Sequence, residues 1–344
     1  MKVTDFDYFL PEDLIAKRPL KDRASSRLLV LCKDGTIEHK FFSDLPSYLN
    51  KGDLLLLNNT RVFPARLTGF KKNGGKVEIL LVKKIGDNVW EVLSKKRFTG
   101  TLRVSEELEL ELYEGKTAHL KYSGDFMDIL WKYGKMPLPP YIKRPPDESD
   151  KETYQTLFAK KEGSIAAPTA SLHFTYDLLK KIALRDVIIR ELTLHVGIGT
   201  FKPIRTEKVE EHSMDAEYFE IDKKLITEIK KTRESGKRVI SVGTTTTRAI
   251  EGYMCGQWSA NGRNKIQDAS LNPHGIKGYT DIFIYPGYEF KAIDSLITNF
   301  HLPISTPLML TSAFCGWEKL MNAYKKAVSR KYRFLSYGDA MLIL

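Results

Sequence analysis

Glu107-Leu108-Glu109-Leu110-Glu111-Leu112 alternates acid and leucine without a break. A period of two sends the three leucines to one face of a strand and the three glutamates to the other, as in a half-buried antiparallel strand. Ala118, Leu120 and Tyr122 repeat the pattern. On both sides, turn formers punctuate the chain: Asn73-Gly74-Gly75, Gly86-Asp87-Asn88, Thr99-Gly100, Glu114-Gly115 and Ser123-Gly124. Residues from about 54 to 123 therefore read as consecutive strands joined by hairpins, which close most naturally into a small antiparallel barrel or sandwich.

The barrel pattern stops at Met136-Pro137-Leu138-Pro139-Pro140-Tyr141-Ile142-Lys143-Arg144-Pro145-Pro146. These prolines forbid helix and central strand and predict a stiff, extended domain junction. Beyond it helices and strands alternate. Asp222 opens a helix with Leu225 and Ile229 on one face, and Gly236 closes it. Arg238–Val242 is a short strand, followed by a helix near Arg248–Gly256. Val187–Val196 and Thr280–Tyr285 supply further strands. Trp317, Leu320, Met321, Tyr324 and Val328 share a helix face. This half reads as α/β.

The 344 residues, 42% hydrophobic and 28% charged, suffice for two domains with substantial cores and exclude disorder as the main state. The net charge of +11 points to a polyanionic partner. It is diffuse: residues 1–58 carry nine basic and nine acidic side chains, residues 59–150 carry 17 and 13, and residues 151–344 carry 28 and 21. A disordered basic tail is disfavoured, while a folded surface that meets phosphates fits. Cys32, Cys255 and Cys315 lie far apart and suggest neither disulfides nor a paired-cysteine zinc site, which fits a reducing, cytoplasmic setting. No apolar run approaches the ~18 residues of a membrane span, no leader is evident, and no long heptad asks for a partner, so a monomer away from membranes is expected.

The sharpest local signal is Gly243-Thr244-Thr245-Thr246-Thr247-Arg248, a strand-to-helix turn. Four hydroxyls at a helix N-terminus, with an arginine one turn in, suit a carboxylate or a phosphate. Ordinary capping would need only one threonine, and the Lys-Ser/Thr of a P-loop is missing. Ala166-Ala167-Pro168-Thr169-Ala170-Ser171-Leu172-His173 is a small-residue loop that lets a ligand approach the backbone, with His173 able to exchange protons. A tight turn around a hydrogen-bonded histidine fits equally well. Gly197 and Gly199 after a strand supply two glycines of a dinucleotide fingerprint, but Lys202 stands where the third would be. Asn299-Phe300-His301 and Tyr337-Gly338-Asp339 place polar groups beside an aromatic ring and a flexible glycine. Asn58-Asn59-Thr60-Arg61 begins the strand-rich block, a preferred place for pockets. The seven histidines show no metal-ligating spacing.

Taken together these segments resemble the S-adenosylmethionine:tRNA ribosyltransferase-isomerase family of queuosine biosynthesis, nearly end to end. The resemblance runs through Leu10–Ala16 with Arg18, Arg23 and Arg27, then Gly52–Arg66, Met136–Arg144, Ala166–Thr175, Leu192–Phe201, Gly243–Ala249, Thr280–Gly287, Thr298–Pro303 and Tyr332–Ile343. Ser171 stands where the family pattern has glycine, and Asp215 where a second histidine commonly follows His212. The resemblance implies an α/β major domain (1–58 plus 148–344) carrying an inserted small antiparallel β-barrel domain (59–147). It implies transfer and isomerisation of the ribosyl moiety of S-adenosylmethionine onto 7-aminomethyl-7-deazaguanine in tRNA, yielding epoxyqueuosine, adenine and methionine. S-Adenosylmethionine is then a consumed cosubstrate, with no recycled cofactor and no metal.

On this reading His173, His301 and Asp339 are the proton-transfer candidates. Asn59, Arg61, Thr169, Gly199, Thr244, Thr245, Thr246, Thr247, Arg248 and Asn299 are the substrate-binding candidates, and Tyr141, Lys143 and Arg144 the tRNA-binding ones, with Tyr154 expected beside Tyr141 on the same surface to stack a base. An S-adenosylmethionine-dependent tRNA methyltransferase and a noncatalytic RNA-binding protein with an OB-like barrel are the alternatives. The first predicts S-adenosylhomocysteine as product, the second tRNA binding without turnover.

Overall fold

The computed structural model describes residues 1–95, 97–201, 204–260 and 275–344. Leu54-Leu55-Leu56-Leu57-Asn58 decides the larger architecture: a strand with no polar face until its last residue must be covered on both sides, and all five residues are buried. It is the fourth strand of a nine-stranded mixed sheet. In spatial order the strands are Gly275–Thr280, Glu217–Asp222, Ile188–Leu194, Leu54–Asn58, Val239–Val242, Ser295–Asn299, Ala340–Ile343, Arg27–Leu31 and Ile37–Phe41. The four from Ile188–Leu194 to Ser295–Asn299 run parallel, with Leu55 in register with both Ile189 and Ile240, and Val242 with Ile297. Ala340–Ile343 returns antiparallel, pairing Ala340 with Asn299.

Helices cover this sheet where the sequence predicts them. Asp222 caps Lys223–Glu234 by accepting from the Lys224 amide at 2.7 Å. Thr175 caps Tyr176–Ala183 in the same way, through the Leu178 amide. Leu28, Leu55, Leu57, Phe174, Ile182, Ile240 and Ile297 form part of one core against the sheet. Trp317–Ser329 is the amphipathic helix read from its spacing, burying Leu320 and Tyr324. Three elements differ from expectation. Leu54–Asn58, read as the first of the barrel strands, pairs in parallel inside the large sheet instead. The helix after Val239–Val242 begins at Thr244 rather than near Arg248, so its whole threonine run is helical. Asp281–Tyr285 is irregular, because the strand there ends at Thr280.

The second unit is a closed six-stranded antiparallel barrel. Its strands run in the order Thr117–Tyr122, Val89–Ser94, Lys76–Gly86, Arg66–Phe70, Gly100–Arg103 and Leu108–Tyr113. Leu108, Leu110 and Leu112 are buried and the intervening glutamates are not, so the acid–leucine alternation is the barrel's inside and outside. Leu110 faces Leu102 on one neighbouring strand and Leu120 on the other. Two register shifts in Lys76–Gly86 mark irregularities of the kind that bend a long strand around a small barrel. The compact units are Met1–Thr60, Thr156–Lys161 and Pro168–Leu344 for the α/β part, and Arg61–Gln155 with Glu162–Ala167 for the barrel part. The chain thus combines a large α/β sheet with an inserted antiparallel barrel.

Candidate active site

The chain crosses from one side of Leu54–Asn58 to the other between Ile188–Leu194 and Val239–Val242. Crevices form beyond the carboxyl ends of parallel strands where winding reverses in this way. Those ends carry Asn58, His195, Gly243 and Asn299 with His301. The antiparallel return strand brings Asp339 to the same edge, and its parallel partner brings Ser26 and Arg27.

Around Asn299 lies a directional hydrogen-bond chain. The Thr169 hydroxyl donates to Asn299 Oδ1 at 2.8 Å, and Asn299 Nδ2 donates to His173 Nε2 at 3.2 Å. The proton of His173 therefore sits on Nδ1, which meets Ser26 Oγ at 2.7 Å, and Ser26 donates in turn to the Arg23 carbonyl at 2.9 Å. Burial, with Arg333 and Arg23 nearby, depresses the His173 pKa to about 3. The ring is neutral and both of its nitrogens are engaged. Phe42 packs 4.9 Å from it.

Asp339 is buried and fully committed. Its carboxylate accepts from the Arg27 amide at 3.0 Å, Arg27 Nε at 3.1 Å and the Arg333 amide at 2.8 Å. Arg27 also lies 4.2 Å above the Tyr332 ring. His301 places Nε2 2.7 Å from the Thr298 hydroxyl, and burial depresses its pKa to about 3. Its backbone is held by the Tyr8 and Tyr324 hydroxyls.

A different environment surrounds the Thr244–Met254 helix. Gly243 adopts φ 92°, a conformation that side chains resist, and so lets the chain turn from strand into helix. Thr246 donates back to the Val242 carbonyl at 2.6 Å and Thr247 to Ser241 Oγ at 2.9 Å, so these two hydroxyls are spent on the turn. Arg248, 6% exposed, donates from Nε to the Ile282 carbonyl at 3.1 Å and from Nη1 to Glu217. Glu217 also accepts the Gly197 amide at 2.9 Å. Among the described residues Arg248 Nη2 and Thr245 Oγ1 are buried without a partner. Both residues line one hollow with Thr244 and apolar walls from Met214, Ile282 and Leu310.

The remaining candidates divide between the units. Asn59 is tied between the neighbouring Thr193 hydroxyl and Glu191, at 2.7 and 3.2 Å. Gly199 lies against Asp215, whose Oδ2 would stand 3.3 Å from a Cβ at that position. In the barrel unit Arg61 stacks 4.6 Å over Trp131 and pairs with Glu162 at 3.4 Å. Arg144 forms a bidentate pair with buried Asp150 at 2.7 and 2.6 Å. Lys143 is exposed with φ 47°, and Tyr141 is half-buried. Tyr154, expected on the tRNA surface, is fully buried and serves the core of the barrel unit instead.

Glu217, Ser26 and His195 belong to this edge without having been singled out. Glu217 carried a readable signal: with Phe219 and Ile221 it occupies the buried parity of an otherwise regular strand, where a carboxylate is out of place. His195 bonds the Thr60 hydroxyl at 2.8 Å and stacks on Tyr218, and burial lowers its pKa. No group of three or more His, Cys, Asp or Glu side chains among the described residues could hold a metal ion.

A family model described as queuosine biosynthesis protein matches residues 3–343. The chain belongs to that family. It is 52% identical to an S-adenosylmethionine:tRNA ribosyltransferase-isomerase of Thermodesulfovibrio yellowstonii, and 50% identical to one of Halothermothrix orenii, each over the full length of both chains. The crystal structure of an S-adenosylmethionine tRNA ribosyltransferase from Thermotoga maritima is similar at a TM-score of 0.55 and 34% identity, covering 99% of this chain and 100% of that one. As a queuosine biosynthesis family protein, the chain puts its orphaned donors and the buried His173 on one edge of its large sheet.

Proposed function

We propose that this protein is an S-adenosylmethionine:tRNA ribosyltransferase-isomerase. It transfers and isomerises the ribosyl moiety of S-adenosylmethionine onto 7-aminomethyl-7-deazaguanine in tRNA, releasing adenine and methionine and leaving epoxyqueuosine. The observation that carries this reading is the likeness at about half identity, over the whole of both chains, to relatives that bear this name.

The chemistry makes demands that the sheet edge can meet. A sulfonium acidifies the adjoining ribose 5′ carbon, so a base must take a proton there. Adenine must leave, helped by protonation, and the attacking amine must be neutral. His173 and His301 are both uncharged at neutral pH, but a pKa of about 3 makes each a weak base while buried, and His173 Nε2 can take a proton only once Asn299 releases it. Asp339, held by Arg27, completes the set of proton-transfer candidates. Thr169, Asn299, Gly199, Asn59 and the Thr244–Arg248 turn are the substrate-binding set in the α/β unit, with Arg61 in the barrel unit. Tyr141 and Lys143 are assigned to tRNA, by stacking and phosphate contact. Arg144 joins them through a guanidinium already anchored on Asp150. The protein acts as a cytoplasmic monomer in this reading.

Incubation with S-adenosylmethionine and tRNA bearing the aminomethyl-deazaguanine should release adenine and methionine, resolved by chromatography. S-Adenosylhomocysteine instead would make the protein a methyltransferase, and tRNA binding without any turnover a noncatalytic RNA-binding protein. For the residue roles, adenine release is measured in His173→Asn, His301→Ala and Asp339→Asn. Near-normal turnover in all three would remove them from the reaction.

A further inference from the structure

Among the described residues Thr245 Oγ1 and Arg248 Nη2 are buried donors without a partner, and both residues line one hollow. Unpaired polar groups at this depth are costly unless a ligand completes them. Thr245 is 8% and Arg248 6% exposed, and both lie in the first turn and a half of an 11-residue helix whose N-terminus adds a partial positive charge. Glu217 fixes the arginine from the far side, since one of its oxygens takes Nη1 while the other is held by the Gly197 amide. The fork is thereby oriented, with its second nitrogen left for something else.

The occupant's chemistry follows from the count and the walls. Two donors match the two oxygens of a carboxylate. A phosphate brings more oxygens and more charge, and here it would also meet the neutralising Glu217. Met214, Ile282, Pro307 and Leu310 make most of the remaining lining apolar, beside the hydroxyl residues Thr244 and Thr306, which suits a short methylene chain and not a solvated nucleic-acid backbone. We infer that Thr245 and Arg248 bind the carboxylate of the methionyl tail of S-adenosylmethionine, with Glu217 as the positioning residue for Arg248. This assignment rests on the proposed use of S-adenosylmethionine and decides which part of it the turn holds.

The test compares binding of S-adenosylmethionine with that of its decarboxylated analogue, by calorimetry, in the full chain and in Thr245→Val and Arg248→Lys. Wild type should prefer S-adenosylmethionine by about tenfold or more, the worth of one charge-assisted hydrogen bond. Both variants should weaken S-adenosylmethionine and leave the analogue's affinity in place, bringing the ratio toward one. Thr245→Val keeps shape and leaves the Glu217 pair intact, so it reports even where Arg248→Lys unfolds. A wild-type ratio near one, or a ratio undiminished in Thr245→Val, overturns the assignment. So does inorganic phosphate that displaces S-adenosylmethionine from wild type but not from Thr245→Val, since the hollow is then a phosphate site. Wild type that releases adenine from the tRNA assay while showing no preference loses only this inference. Wild type that neither binds S-adenosylmethionine nor releases adenine loses the proposed function with it.

Discussion

The hydrogen-bond chain around Asn299 and the arginine fork around Thr245 stand on the same sheet edge, yet one is saturated and the other is not. Thr169, Asn299, His173 and Ser26 pass hydrogen bonds in one direction and end on a backbone carbonyl. Thr245 and Arg248 leave two donors over. Buried polar groups that complete one another stiffen a site, while those left incomplete mark where a ligand must supply the rest. The comparison separates the scaffold of the site from its receptor.

Arg248→Ala is the harshest way to break that contrast. It leaves Glu217 buried without its cation and should cost about 3–5 kcal/mol in denaturant unfolding. Restoring neutrality with Glu217→Gln in the same chain should recover part of the loss, whereas a full loss in the double variant would mean that packing and not charge is at stake. Asn299→Ala comes next: it strips His173 Nε2 of its donor and should cost about 1–3 kcal/mol. An unchanged midpoint there would show that the chain is not a scaffold.

Acid sharpens the same contrast. The His173 pKa falls from 6.5 in the unfolded chain to about 3 in the folded one, so between those values the unfolded state binds more protons. Stability from this residue is complete above pH 6.5 and drains away as pH falls toward 3, by up to ~1.4 kcal/mol per pH unit. His173→Asn should flatten that slope in unfolding titrations between pH 6 and about 4. An unaltered slope would mean that His173 is no buried neutral base. The smallest effect is expected from Lys143→Ala in the barrel unit. Stability should stay within about 0.5 kcal/mol, and tRNA affinity should fall a few-fold with a shallower salt dependence. Unchanged affinity and slope would remove Lys143 from the tRNA surface.

Much of the architecture was legible because its signals are local. The acid–leucine alternation from Glu107 to Leu112 needs only the strand period, and the Asp222 cap needs only the next two residues. The threonine run after Gly243 announced a strand-to-helix turn, although its helix was placed one turn too late, since threonine's weak helix propensity hid a start that the sheet imposes. Thr280–Tyr285 read as a strand from its apolar and β-branched residues, but ladder pairing stops at Thr280.

What sequence alone determined was thus which segments become most of the strands and helices, and that Gly243–Arg248, Ala166–Thr175 and Asn299–His301 carry groups able to bind or exchange protons. Only the tertiary structure decided their states. Asp339 is paired with Arg27 across 312 residues, His173 with Ser26 across 147, and Arg248 with Glu217 across 31. Local periodicity is set by backbone geometry over a few residues, whereas the protonation and saturation of a side chain depend on neighbours that only sheet pairing brings within hydrogen-bond reach. That Thr245 and Arg248 each keep an unpaired donor becomes visible only when their own neighbours have been placed.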